Sequence, residues 1–297
     1  MATRAVSAIL EVDASAFGRA LGREPMVFRH SLVADPGLTI GAIADLADGW
    51  PAAWLEHHGG DLPLLLPRGD PPVRLDLGAG DVIRQIADNR CWAALWFTER
   101  VSAYNNVLDS CLDQILPVVE QADGVMGRRG ANIFVASPHA VSPAHFDRHH
   151  NVLLQVEGTK EVNIGVFEDP SVAQAEIEGH YGRSRNLSRL PEHVTTFRLQ
   201  PGEAVYIPPY AFHWVRGGAD TSVAFSCGFV SRSSERAEVV HTCNVRLRKL
   251  GLRPKPPGSS SLRDGAKIAL VRGRRALEPG RKTLADLRAR HLARGSA

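Results

Sequence analysis

The chain has 297 residues, 44% hydrophobic and 23% charged, so it can bury a sizeable core, and no apolar run reaches the roughly 18 residues of a membrane-spanning helix. Four scattered cysteines without a CxxC pair argue against a zinc knuckle or a disulfide scaffold, and the N-terminus lacks a signal peptide's long apolar segment, so we expect a cytoplasmic protein. The net charge of +3 is uneven, because residues 231–297 carry 17 Lys and Arg against 5 Asp and Glu. We expect this basic end to bind an acidic partner, an acidic face of the same protein or a nucleic acid. The alternative is a basic surface helix that contacts only solvent.

The first 130 residues mix helical and extended patterns. Pro25–Phe28 and the aromatic-rich Cys91–Thr98 predict strands. Gly80–Asn89 predicts a short helix, and apolar residues at helical spacing predict a longer one over Asn105–Gln121. We expect residues 1–130 to support a following domain.

From residue 131 the pattern changes to short strands separated by Gly, Pro or charged turns. These strands are Asn132–Ala136, Val152–Val156, Val162–Val166, Thr195–Leu199, Ala204–Ile207 and Ser222–Phe229. Many short strands at this spacing are typical of a β-sandwich or barrel. We therefore predict a barrel core over residues 131–235, followed over residues 236–297 by a basic helical appendage.

A candidate metal site begins in Ser142–Asp147, which reads SPAHFD. Residues two apart on a strand point to the same side, so His145 and Asp147 can present an imidazole and a carboxylate to one point. Two histidines and one carboxylate form the facial triad of non-haem Fe(II), which leaves positions open for cosubstrate and O2. An HxD pattern alone is weak, because it arises often by chance.

The third ligand is expected from a later strand, and Gly202–Val215 supplies a candidate. There a strand ends at two prolines, and His213 follows in an aromatic, apolar setting. Alone, His213 would be interpreted as a core histidine bonded to a carbonyl. Together, the two segments predict a metal centre of His145, Asp147 and His213.

The motifs SPAHFD, NVLLQVEGTKEV and GEAVYIPPYAFHWV resemble the JmjC/cupin-like hydroxylases, and are most similar to the branch containing the asparaginyl hydroxylase of hypoxia-inducible factor. The resemblance covers Asn132–Phe229, about a third of the chain. It implies a mainly β fold with flanking helices, a double-stranded β-helix (jelly-roll) barrel of the cupin/JmjC type. It also implies an Fe(II)- and 2-oxoglutarate-dependent oxygenase that hydroxylates a C–H bond, with succinate and CO2 as co-products. Demethylation, which is hydroxylation at an N-methyl carbon, is an open alternative outcome.

The resemblance also implies a cosubstrate site. Lys160, fifteen positions after His145, matches the lysine that binds the distal carboxylate of 2-oxoglutarate, and Ser142 and Asn151 match groups facing the same pocket. The alternatives are a solvated turn lysine and polar residues that cap turns. Where the branch has an asparagine near the metal, this chain has Ala224, and the sequence does not place Ser226.

Five further histidines are interpreted as surface or pocket-rim residues. They are His139, His149, His150, His180 and His193. The insert between the two metal half-sites, about residues 168–185, is expected to contact the substrate, because loops at a barrel mouth usually determine specificity.

The substrate is predicted to be a protein, peptide or small molecule. The competing interpretation is a non-catalytic cupin-like binding or regulatory module, whose signature would be a broken triad. The basic end lacks a zinc finger, helix-turn-helix or RNA-binding motif, so a nucleic-acid partner is not expected. The resemblance instead implies a homodimer formed through the C-terminal helices, and no membrane partner is expected.

Overall fold

A computed structural model describes residues 8–66, 76–181 and 186–277. Its strands are β1 (Leu10–Glu11), β2 (Met26–His30), β3 (Leu55–Gly59), β4 (Cys91–Trp96), β5 (Met126–Ala136), β6 (Val141–Phe146), β7 (His150–Glu157), β8 (Lys160–Val166), β9 (His193–Leu199), β10 (Glu203–Ile207), β11 (Phe212–Gly217) and β12 (Ser222–Ser231). Its α-helices are α1 (Ala14–Ala20), α2 (Ile40–Asp48), α3 (Ala79–Arg84), α4 (Ser102–Asp123), α5 (Pro170–His180), α6 (Arg232–Lys249) and α7 (Ser261–Leu277).

The strands form two antiparallel sheets. The large sheet has the order β1-β2-β10-β7-β12-β5-β4-β3, and the small sheet has the order β6-β11-β8-β9. From β5 to β12 the chain passes repeatedly between the sheets, so β5, β7, β10 and β12 face β6, β8, β9 and β11. This is a double-stranded β-helix, and it confirms the predicted fold class.

Two apolar layers hold the large sheet in place. Its outer face packs against α1, α2 and α4, and the helical period of α4 buries one stripe of side chains: Tyr104, Leu108, Cys111, Leu112, Ile115 and Val119. Between the sheets lies a smaller cluster: Leu153, Val162, Ile164, Leu199, Val205, Ile207 and Ala224. Truncating one such buried Leu or Ile to Ala typically costs about 2–5 kcal/mol of folding free energy.

The predicted loop-like insert contains a helix that the hydrophobic pattern did not reveal. Asp169 caps α5 by accepting a hydrogen bond from the Ser171 N–H, and Pro170 occupies its first turn. The helix buries two carboxylates, Glu176 and Glu178, so its inner face is not apolar. A cap followed by proline was the only signal in the sequence for this helix.

The C-terminal segment is helical, as the sequence predicts, over its described part. Helix α6 begins with a capping box in which Ser231 and Ser234 satisfy each other's backbone N–H groups. Residues 278–297 lie outside the described residues, as do 67–75 and 182–185, and the division into three domains stays a prediction. No described helix combines the length and apolar character needed to cross a membrane.

Candidate metal centre and its cavity

The strand pairing of the small sheet brings the three predicted metal ligands together. His145 on β6 lies directly opposite His213 on β11, and their ring centroids are 4.1 Å apart. Asp147 follows the end of β6 by one residue, and its Oδ2 is 3.7 Å from His213 Nε2. One ligand atom from each of the three residues lies within 4.8 Å of the other two.

Hydrogen bonds to backbone carbonyls fix which nitrogen each histidine offers. The His145 Nδ1 is 2.8 Å from the Pro143 carbonyl oxygen, and the His213 Nδ1 is 2.9 Å from the Ala211 carbonyl oxygen. A carbonyl oxygen only accepts, so each Nδ1 carries the proton and each Nε2 carries a lone pair. Metal-binding histidines are commonly oriented in this way.

The donor set fits a non-haem Fe(II) ion. Two imidazoles and one carboxylate on one side of a metal leave other positions open. Asp147 and His213 are 6% and 3% exposed, so the carboxylate lies in a buried environment where a cation would stabilise its charge.

A cavity of about 230 Å³ between the two sheets contains these ligands and all three residues predicted to bind the cosubstrate: Ser142, Asn151 and Lys160. Lys160 is 7% exposed, and among the described residues no carboxylate forms an ion pair with it. Burial lowers its pKa to about 8, because the charged ammonium loses solvation. The alternative of a solvated turn lysine is therefore wrong.

Asn151 and Ser226 form a polar pair on the large-sheet side of the cavity. The Ser226 hydroxyl donates to Asn151 Oδ1 over 2.8 Å, and both residues line the cavity. Ala224, by contrast, belongs to the apolar cluster between the sheets. The pairing of β12 with β7 shifts register between Val223 and Ala224, which is why the sequence alone could not place Ser226.

An aromatic wall, which the sequence analysis did not identify as part of the site, extends the cavity along β3, β4 and β5. Trp92 stacks on His58 with ring centroids 4.8 Å apart, and on Phe134 at 5.8 Å. Trp96 meets Phe134 edge-on at 5.6 Å, and its indole N–H donates to the exposed Glu56 carboxylate over 3.3 Å. These five residues all line the cavity. The alternating pattern of Trp92, Ala94 and Trp96 on one strand face was the signal available in the sequence.

The other histidines divide among several environments. His149 lines the cavity, as a pocket-rim residue would, and His139 and His193 are exposed. The interpretation of His150 as a surface or rim residue is wrong, because it is fully buried behind the large sheet. The side chain of His180 lies outside the described residues.

The insert between the half-sites contributes little to the described cavity wall. Of its described residues and the segment that follows, only Asn186 lines the cavity. Helix α5 packs instead against α6 through buried hydrogen bonds. The expected substrate contacts from residues 182–185 lie outside the described residues.

The sequence model of the JmjC domain matches residues 111–237. These residues form a JmjC domain. No curated protein matches the chain. The JmjC domain contains the three predicted metal ligands and the three predicted cosubstrate residues, together with helix α5 and the first turn of α6.

Solved structures of YcfD from Escherichia coli share the fold of the chain. One X-ray structure is 14% identical, with a TM-score of 0.50 over 84% of this chain and 62% of that chain. A second, of the ribosomal oxygenase YcfD in complex with cobalt and 2-oxoglutarate, is 15% identical, with a TM-score of 0.49 over 88% of this chain and 65% of that chain. The chain thus spans less than two thirds of the length of either, and the likeness supports the fold alone. The asparaginyl-hydroxylase branch stays a prediction.

Proposed function

We propose that this protein is an Fe(II)- and 2-oxoglutarate-dependent oxygenase that hydroxylates a C–H bond. The observation that carries the proposal is a cluster of two histidines and one carboxylate in one cavity of a JmjC domain, together with a buried lysine that has no ion-pair partner among the described residues. His145, Asp147 and His213 would hold the metal. With 2-oxoglutarate and O2, bound Fe(II) supplies the oxidation of a C–H bond, and succinate and CO2 are the co-products.

The chemistry of the inner cavity supports 2-oxoglutarate as the cosubstrate. The Lys160 ammonium needs an anionic partner, because an unpaired buried charge is costly, and a dicarboxylate can bind the metal at one end and Lys160 at the other. The Ser142 hydroxyl and the Asn151–Ser226 pair would supply further hydrogen bonds. These four residues bind and orient the cosubstrate in our proposal.

We further propose that the aromatic wall receives the substrate. Trp92, Trp96 and Phe134 are partly exposed, and Glu56 is exposed, so this wall leads from the interior to the surface. A path lined by aromatic rings from the surface to the metal site suits an inserted side chain of a protein or peptide. A Trp92→Ala variant would change substrate turnover, and the turnover of 2-oxoglutarate in the absence of substrate would stay unchanged.

The test of the activity is succinate formation by the purified protein with Fe(II), 2-oxoglutarate and O2. We expect metal-dependent succinate formation that is lost in His213→Ala. Succinate at the no-enzyme level, from a protein that binds both Fe(II) and 2-oxoglutarate, would instead support the non-catalytic binding module.

We also propose that the C-terminal helices form a homodimer. Four leucines are strongly exposed, two directly after α6 and two on α7: Leu250, Leu252, Leu262 and Leu270. Exposed apolar residues clustered on helices often mark an interface. We expect light scattering to give a dimer mass that Leu262→Glu with Leu270→Glu reduces to a monomer, and a monomeric wild type would refute it.

A cytoplasmic location completes the proposal. All four cysteines are free and buried, as expected in a reducing compartment. Fractionation of cells expressing the tagged protein would test this location. We propose no nucleic-acid partner, because the sequence shows no nucleic-acid-binding motif. Retention of the protein on DNA at moderate salt would contradict this proposal.

A further inference from the structure

The three metal ligands are not held equally by the small sheet. His145 and His213 lie opposite each other within a ladder of paired strands. Asp147 lies beyond it, because β6 ends at Phe146, which forms the last pair with Phe212. The carboxylate therefore needs an anchor outside the sheet.

We propose that helix α6 is this anchor, and that Glu238 and His241 are positioning residues for Asp147. They act through Arg148 and Tyr210, and they touch neither the metal site nor the cosubstrate residues. The inference rests on the proposed function, since it concerns the affinity of the same site for its metal.

The first link runs through Arg148, the residue directly after Asp147. Its guanidinium lies over the Tyr181 ring at 4.2 Å from the centroid, and its Nη1 is 3.7 Å from Glu238 Oε1. The Tyr181 hydroxyl donates to the Glu238 backbone carbonyl over 2.9 Å. The ring that supports Arg148 is thus itself fixed to α6.

The second link runs through Tyr210, in the turn that precedes β11. Its backbone N–H donates to the Asp147 carbonyl oxygen over 2.6 Å. Tyr210 has φ of +64°, a left-handed conformation that a residue with a Cβ adopts only at an energetic cost. The surrounding contacts must maintain it, and the His241 ring packs on the Tyr210 ring with centroids 4.8 Å apart.

Helix α6 can serve as an anchor because a buried carboxylate fixes it to α5. The Glu178 side chain has no exposed surface, and it accepts hydrogen bonds from His241, Asn244, Gln174 and Arg248. Burial alone would raise the Glu178 pKa, but these four donors outweigh burial and hold it at about 2. The side of α6 that carries His241 is therefore rigidly placed.

The experiment measures Co(II) affinity by ligand-field absorption, with Co(II) as a spectroscopic substitute for Fe(II). Glu238→Leu combined with His241→Leu removes the ion pair with Arg148 and the ring contact with Tyr210, and it leaves the three metal ligands in place. We expect its Co(II) affinity to fall about 10-fold or more, within the range found when partners of metal ligands are removed. Glu235→Gln, an exposed substitution on the same helix, should bind Co(II) like the wild type.

One control separates positioning from simple loss of stability. Ile115→Ala, in the core of α4 on the far side of the large sheet, should lower the Tm but leave Co(II) affinity unchanged well below that Tm.

The outcomes distinguish the inference from the function on which it rests. Equal Co(II) affinity in wild type and the α6 double variant would overturn the anchor and leave the metal site standing. An equal loss of affinity in Ile115→Ala would also overturn it, because a general loosening would then suffice. Failure of the wild type to bind Co(II) would overturn the proposed function itself.

Discussion

Two sets of histidines on opposite sides of the large sheet differ in the contacts that their ring nitrogens make. His150, behind the sheet, uses both ring nitrogens inside the protein, since Nδ1 bonds to the Tyr206 hydroxyl at 2.7 Å and Nε2 to the Ser231 hydroxyl at 2.8 Å. Its ring also stacks on Phe229 with centroids 4.5 Å apart. His145 and His213 each use Nδ1 on a backbone carbonyl and present Nε2 lone pairs beside a carboxylate.

Each set contains a buried histidine, His150 in one and His213 in the other, so burial alone does not identify a site. The difference lies in what surrounds the second nitrogen. In His150 it bonds to a serine hydroxyl within the fold, whereas one ligand atom of each of His145, His213 and Asp147 lies within 4.8 Å of the other two at the cavity, which suits a metal ion. The four predictions below test this difference, in order of expected effect.

The largest effect is expected from His213→Ala. It removes one of three ligands, so metal affinity should fall by at least about 100-fold, more than removal of an outer partner usually costs. The measurement is a Co(II) titration. His150→Gln, the matched change behind the sheet, should bind Co(II) with wild-type affinity, and a comparable loss there would remove the distinction between the two sets.

Lys160→Met should weaken 2-oxoglutarate binding and stabilise the protein without ligand. The folded-state pKa of about 8 lies below the usual 10.5, so between pH 8 and 10.5 the unfolded chain binds more protons and wild-type stability rises with pH. Below pH 8 the buried charge costs about 3 kcal/mol, from a shift of this size, and methionine removes that cost.

Chemical denaturation from pH 6 to 10 tests the stability effect, and 2-oxoglutarate titration tests the binding. We expect the 2-oxoglutarate affinity of the wild type to decrease above pH 8, because Lys160 loses its proton there. The affinity of Lys160→Met should be low at every pH from 6 to 10. An unchanged 2-oxoglutarate affinity in Lys160→Met would mean that the lysine does not face the cosubstrate.

His150→Gln should affect stability only, by about 1–3 kcal/mol, because it removes a buried hydrogen bond and ring stacking. Burial lowers the His150 pKa from 6.5 to about 4, so the unfolded chain binds more protons between these values. Wild-type stability should therefore decrease as pH falls from 6.5 to 4. Urea unfolding should give a flatter dependence in the variant, and an identical slope would show that His150 does not titrate as described.

The smallest effect is expected from Ser226→Ala. It removes the donor to Asn151, and one neutral hydrogen bond contributes about 0.5–1.5 kcal/mol, which corresponds to about a 2- to 10-fold loss of 2-oxoglutarate affinity. Metal affinity should not change. Isothermal titration calorimetry would measure the loss of 2-oxoglutarate affinity. A loss of Co(II) binding would instead place Ser226 in the metal centre.

The sequence predicted the barrel and the proximity of His145, Asp147 and His213 well, because both depend on strand patterns that the sequence shows. His145 on β6 and Asp147 directly after it are two residues apart, a spacing that predicts one common side, and the strands of residues 131–235 have clear turn signals. Ser226 and the wall around Trp92 were harder, because they depend on a register shift and on which strands are neighbours. The buried face of α5 was missed since its inward residues include Glu178, and no periodic pattern indicates a carboxylate that four donors satisfy.

The central claim is that the cavity between the sheets binds Fe(II) and 2-oxoglutarate together, and one anaerobic titration tests it. Fe(II) and then 2-oxoglutarate are added to wild type, His213→Ala and Lys160→Met, and the visible metal-to-ligand charge-transfer absorption is followed. We predict a saturable band in wild type, no band in His213→Ala, and a band in Lys160→Met that requires about 10-fold or more 2-oxoglutarate. A wild type that binds Fe(II) but develops no band at any 2-oxoglutarate concentration would contradict the account.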